Sequence, residues 1–202
     1  MWARTDAPVA GGSVGRSWLW GPEPFAVANE QFAESPTGLR LVEYLDKGRM
    51  ELNDPASDRE SPWYVTSGLL VREMVLGQIQ VGAAQFLPRA PATLPIAGDA
   101  ESEGTPTFAS IARHLGQVGD RRGHVNGQFI AADGTVSRVE PAGDPALFVA
   151  REYDEVSGHN IPAVFAEWTR RSGPVYEKGL TADGPLMDSL FVLGRPVTEA
   201  YW

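Results

Sequence analysis

No cysteine occurs anywhere in the chain. Disulfides, thiol nucleophiles and thiolate metal sites are excluded together, and the absence by itself fits an exported protein or a cytosolic one equally. Long apolar runs are missing too, none approaching the roughly 20 residues that span a bilayer, so membrane insertion is not expected. The opening MWARTDAPVAGG has neither the basic cluster nor the apolar stretch of a leader peptide. Positive charge is scarce: 17 Lys and Arg stand against 26 Asp and Glu, a net charge of −9. Such a field repels phosphate backbones and anionic lipid, and nucleic acid is not an expected partner. Glycine-rich phosphate cradles and an HExxH helix are absent, so no cofactor is expected. The three histidines are dispersed and lack the spacing of a zinc site.

What remains is a foldable chain rich in turns. Hydrophobic residues make up 43% of the 202 and charged residues 21%, ordinary globular values that suit a single domain. Twenty-two glycines and 16 prolines exclude long helical bundles and imply short elements. RSWLWGPEPF (16–25) alternates as a strand with Trp18 and Trp20 on one inward face. GLRLVEYLDKGRMELND predicts a hairpin turning at Asp46 to Gly48, and HVNGQFIAADGTVSRVE a second one around Asp133-Gly134. FVAREYDEV is expected to pair with that second hairpin. TSGLLVREMVLG carries Leu70, Val71, Met74 and Val75 at helical spacing, with Thr66 or Ser67 as cap and Gly77 as stop; QIQVG follows as a short strand. Residues 87–107, with four prolines, read as a strap or linker. Thr105-Pro106 predicts a helix start, and NIPAVFAEWTRRSG a further helix that puts Ile161, Val164, Phe165 and Trp168 on one face and stops at Gly173. Strands and short helices without a regular βαβ period give an α+β fold.

Two segments carry a family likeness. GHNIPAVFAEWTRRSGPVY leading to LFVLGRPVTEAYW, with Gly158, His159, Leu193, Gly194, Pro196, Thr198 and Glu199 at the marked positions, resembles the LGFP-type repeats of bacterial cell-surface proteins. RLVEYLDKGRMELND with YVTSGLLVREM is similar to the segment that often follows such a unit in exported multidomain proteins. The two stand here in reverse order, and Ser172-Gly173-Pro174 replaces the usual double glycine. The resemblance implies an extracellular or cell-surface module; for an exported protein the signal segment is not among these residues, Met1 before Trp2 then reads as an added start, and Trp202 as the end of a fragment. It carries over no catalytic residue.

Residues suited to chemistry each have a plainer reading beside them. His159 lies next to Asn160 and Pro162, and we read the group as the start of a helix; the alternative is a general acid or base. Glu43, Asp46, Glu51 and Asp54 sit on the first hairpin among Arg40, Lys47 and Arg49, which reads as a solvated, charge-balanced face. A glycoside-hydrolase pair built on Glu43 or Glu51, with His159 assisting, is the catalytic alternative, Glu43 being exposed to a raised pKa if buried. NDPASDRE offers oxygen ligands but not in EF-hand spacing, so no metal is expected. Trp63 and Tyr64 follow Pro62 in a polar setting, with Asn53 and Asp54 close in sequence. Such rings stack on sugars, or else pin a small core. The sequence therefore points to a non-catalytic module that binds cell-wall glycan or surface proteins, with a polysaccharide or peptide hydrolase as alternative and an architectural spacer as a third reading. Two carboxylates converging in a cleft with an aromatic wall would select the hydrolase.

Overall fold

The computed structural model describes residues 1–97, 104–120, 122–140 and 143–202. Helices α1 (Trp2–Thr5) and α2 (Ala7–Ala10) come first, then strands β1 (Ala26–Gln31), β2 (Leu39–Leu45) and β3 (Gly48–Leu52). Helix α3 (Leu70–Leu76), strands β4 (Gln78–Gly82) and β5 (Gln85–Pro88), and helix α4 (Phe108–Ile111) follow. The remainder comprises β6 (Gln128–Ile130), β7 (Val136–Arg138), β8 (Ala150–Asp154), β9 (His159–Pro162), α5 (Ala163–Thr169), β10 (Ser172–Glu177), β11 (Leu180–Pro185) and α6 (Ser189–Leu193). Short helices between small antiparallel sheets make this an α+β fold.

Two compact units share the chain. The first comprises Met1–Leu70, Ile79–Pro88 and Arg170–Leu193; the second comprises Val71–Gln78, Arg89–Thr169 and Gly194–Trp202. Of the proline-rich run 87–107, residues 98–103 lie outside the described residues, while 89–97 and 104–107 belong to the second unit.

In the first unit the order is β1-β2-β3, all antiparallel. Leu45 pairs with Gly48, so the expected hairpin is present with Asp46 and Lys47 as its two-residue turn. β1 was not expected; its partner register runs from Ala26 opposite Tyr44 to Gln31 opposite Leu39. Trp20, Leu45 and Met50 form a core cluster on which Met1, Trp2, Leu19, Val65 and Val192 pack.

The stretch 16–25 is not a strand. Its backbone is held instead by the fully buried Asp6 carboxylate, which accepts from the N–H groups of Leu19 (3.0 Å), Trp20 (2.6 Å) and Gly21 (3.1 Å). The carbonyls of the same stretch are taken up too: that of Trp18 by Lys47 Nζ, that of Trp20 by Lys47 N–H and that of Gly21 by the Trp2 indole. A ladder partner is unnecessary once these groups are satisfied.

In the second unit β6 pairs with β7 and β8 with β9. The Asp133 carboxylate accepts from Thr135 N–H, and Gly134 takes the positive φ its turn requires. The 148–156 segment makes a single bridge to the start of that region, Val125 to Val149, and otherwise turns back on β9. The helix expected after Thr105 begins two residues later. Thr107 caps it, because its hydroxyl accepts from Ser110 N–H while Ser110 Oγ accepts from Thr107 N–H.

Helical spacing misjudged two faces. In α3 the buried residues are Glu73 and Val75, and Val71 is exposed. In α5 Ala163 and Ala166 are buried, whereas Phe165 (54%) and Trp168 (41%) face water. Alanines three apart let the helix backbone approach its neighbours closely, and the large side chains turn outward. That helix ends at Thr169, and Gly173 belongs to β10.

Candidate functional site

Within the first unit, the loop after β3 is built from successive side-chain turns. Asp54 Oδ1 accepts from Ala56 N–H, Asp58 Oδ1 from Glu60 N–H, and Ser61 Oγ from Trp63 N–H. These bonds fix the backbone of the polar loop before the chain rejoins the sheet at the Thr66–Glu51 bridge. They leave Trp63 69% exposed, braced at 5.2 Å and 52° against the Phe191 ring of α6. Ser67 Oγ donates to the Phe191 and Val192 carbonyls, so it ties loop to helix rather than capping α3. Leu69, Leu190 and Leu193 are exposed in these same segments. Tyr64 is half-buried, and so are Asn53, which donates to Thr66 Oγ1 at 3.5 Å, and Asp54. Phe191 lies 128 residues beyond Trp63, and no local signal in the sequence pairs them.

Glu43 and Glu51 do not face one another. Glu51 is opposite Val42 and shares the face of Arg40, Val42 and Tyr44, while Glu43 is opposite Met50 and Val27 on the other face. Far from lying on a solvated surface, Glu51 is 2% exposed. Its carboxylate meets Arg40 Nη1 at 3.1 Å and Arg49 Nη2 at 2.6 Å, and Thr66 Oγ1 donates to it at 3.4 Å. Arg40, whose side chain is wholly buried, also reaches Glu30 at 3.6 Å and both the side chain and carbonyl of Gln80, and it lies 5.0 Å over the Phe32 ring. Tyr44 donates to Glu30 Oε1 at 2.5 Å; burial first, and then this bond to a carboxylate, push its phenol pKa up. Gly68, at φ +68°, presses against Glu51, and a Cβ there would collide with the carboxylate. The cluster is a balanced set of opposite charges packed tight, with Glu51 engaged by two guanidinium groups.

His159 is in the second unit and does not begin a helix. It opens β9, paired with Asp154, and Asn160 lies opposite Tyr153. The reason is the turn at 154–158: Asp154 Oδ1 accepts from Val156 and Ser157 N–H, and Gly158 adopts φ +75°, which folds the chain back onto β8. The imidazole is 2% exposed, with Nδ1 3.4 Å from Glu199 Oε1. Glu199 further accepts from Asn160 N–H (3.1 Å) and Nδ2 (2.9 Å), and Nδ2 also donates to the Gly119 carbonyl. Thus two positions marked by the resemblance, His159 and Glu199, meet in space. A depression of about 10 Å³ lies beside them, lined by residues that include His124, Asn126, Asn160 and Glu199. It has room for one water and none for a sugar ring.

Hydrogen bonds from Ser157 and Val156, with the Arg195 guanidinium at 2.7 Å, hold the Asp154 carboxyl below the usual carboxylate range. A depressed folded-state pKa gives stability that is present above the unfolded value near 3.9 and is lost as pH falls through the folded one. Asp154→Ala should therefore cost about 1 kcal/mol at pH 7, the usual worth of a turn-capping side chain. The gap to wild type should narrow as pH is lowered to about 3, as read from urea midpoints at each pH. A gap that widens on acidification would contradict this assignment.

Among the described residues no three of His, Asp and Glu gather as a metal-ligand set, and no helix is long and apolar enough to cross a membrane. Compared with family models, curated proteins and solved structures, the chain matches none.

Proposed function

We propose that the protein is a non-catalytic module of the cell surface that holds cell-wall glycan against Trp63, with Tyr64, Asn53 and Asp54 beside it. The observation that carries this reading is the indole itself. A tryptophan left 69% exposed, with its backbone fixed by side-chain turns and one flank braced by Phe191, is a ready platform for the apolar face of a sugar. The carboxylates of Asp54, Asp58 and Glu60 lie in the same loop and supply acceptors for hydroxyls. Glu51 lends no support to the hydrolase alternative, because a carboxylate clasped by two buried arginines has no face for substrate.

Retention on insoluble bacterial cell wall tests the proposal. Wild type should sediment with the wall, and Trp63→Ala should lose at least about five-fold in affinity, the worth of roughly 1 kcal/mol of ring stacking. Its unfolding midpoint should move by less than about 1 kcal/mol, as befits an exposed side chain. Equal retention of both proteins would remove Trp63 from the site. Retention of neither would remove glycan binding, and capture of a surface protein through the same ring would put the partner in the other class.

A further inference from the structure

Residues 199–202 lie against the second unit, and each of the four makes a contact with it. Glu199 is clasped by Asn160 and His159. The Ala200 carbonyl accepts from Asn126 Nδ2 at 2.7 Å. Tyr201 lies 5.5 Å from the His114 ring. Trp202 donates through Nε1 to the Asn126 carbonyl at 2.7 Å and rests 4.0 Å from the Phe148 ring. Its backbone completes the attachment: Trp202 N–H donates to the Gln128 carbonyl at 2.8 Å, and Ile130 N–H donates to the Trp202 carbonyl at 3.0 Å. Bonds to residues on both sides of Phe129 are the pattern of a parallel pair, on the edge of β6 that β7 leaves open.

We propose that the free edge of β6, with the side chains around it, is a strand-acceptor site for a Glu-Ala-Tyr-Trp segment, filled within one chain by residues 199–202 and open to the same segment of a second copy by strand exchange. Main-chain bonds to an open edge give affinity, and the pockets for alternate side chains give sequence selectivity, as in other cases of strand addition. A second copy can reproduce every one of these contacts, since all are made by residues 199–202 to the second unit alone. Only the connection differs. The segment is reached through Gly194, at φ +75°, and Arg195-Pro196, a short link whose Gly194, Arg195 and Val197 are exposed and whose Arg195 pairs with Asp154 at 2.7 Å, a contact the exchange must release or remake. Turning that link outward in two copies at once closes a reciprocal dimer. Within one chain the segment competes at an effective concentration of the order of millimolar, so the exchanged form belongs to high local density, as on a crowded surface.

The probe is a fluorescein-labelled peptide of residues 195–202, RPVTEAYW, titrated into full-length protein and followed by anisotropy. Wild type should bind it weakly, because its own segment occupies the site. Full-length Trp202→Ala, and independently Glu199→Ala, should bind it at least about ten-fold more tightly, as expected when the competing occupant is weakened. A peptide with alanine at both the glutamate and the tryptophan should not bind either. In parallel, two differently tagged wild-type chains held near millimolar concentration should yield mixed dimers that persist on dilution. Peptide binding that ignores its glutamate and tryptophan, or an absence of both peptide binding and mixed dimers, would overturn the proposal.

Discussion

Glu51→Gln should destabilise the first unit by about 3–5 kcal/mol, the range for breaking a buried ion pair from one side. The substitution keeps the shape of the side chain and removes its charge. Arg40 and Arg49, both buried at their guanidinium ends, then lose the carboxylate that both of them meet, and Glu30, 3.6 Å from Arg40, already gives its other oxygen to Tyr44. An uncompensated buried cation is what makes the loss large. Against a typical total of about 5–15 kcal/mol, it should move a urea midpoint read by tryptophan fluorescence well outside error. Removing the charges together is a different experiment. Glu51→Leu combined with Arg40→Met and Arg49→Met should recover most of the loss, because buried ion networks owe little net stability to their charges once an apolar substitute fills the volume. A shift below about 1 kcal/mol for Glu51→Gln would mean that the arginines reach water, as surface pairs do.

The same cluster shows where sequence reading succeeds and where it stops. Alternation along β2 puts Arg40, Val42 and Tyr44 on one face, and the Asp-Lys-Gly turn gives the hairpin; both are local and both are present in the structure. Nothing local says that this face is buried, because closure over Arg40 comes from Gln80 and from Glu30 on β1, 40 and 10 residues away. The Asp-Gly hairpin at 128–138 was legible for the same reason as the first. His159 was not, since Asn160 followed by Pro162 has the composition of a helix start. The Asp154 carboxylate and the left-handed Gly158 instead fold this stretch back as a strand, a turn signature that sits upstream of the residues that drew attention. For the candidate site the sequence supplied an unusual tryptophan in a polar loop. Its brace, Phe191, comes from a helix brought near by the fold, and pairings of that range carry no local pattern. The α+β class needed only the count and spacing of short elements.

Asp6→Ala should cost about 3 kcal/mol or more, although the residue stands in an unremarkable N-terminal stretch. The carboxylate is fully buried and accepts three main-chain N–H groups, from Leu19, Trp20 and Gly21. Alanine leaves three buried donors without acceptors, and each carries a penalty of about 1–3 kcal/mol that local relaxation reduces but does not remove. The loss reaches the core directly, since Trp20 is anchored between this carboxylate and the Leu45–Met50 cluster. Asp6→Asn is the informative companion. It keeps one acceptor oxygen but turns an NH2 group toward N–H donors, so it should fall between wild type and alanine, at about 2 kcal/mol. Thermal unfolding gives the ranking, and the near-ultraviolet dichroism of Trp20 gives its cause: the tryptophan signal should weaken in both variants before the transition begins. If instead Asp6→Ala unfolds within about 0.5 kcal/mol of wild type, the turn at 18–21 must hold itself, and the failure of that stretch to form a strand would need a different explanation.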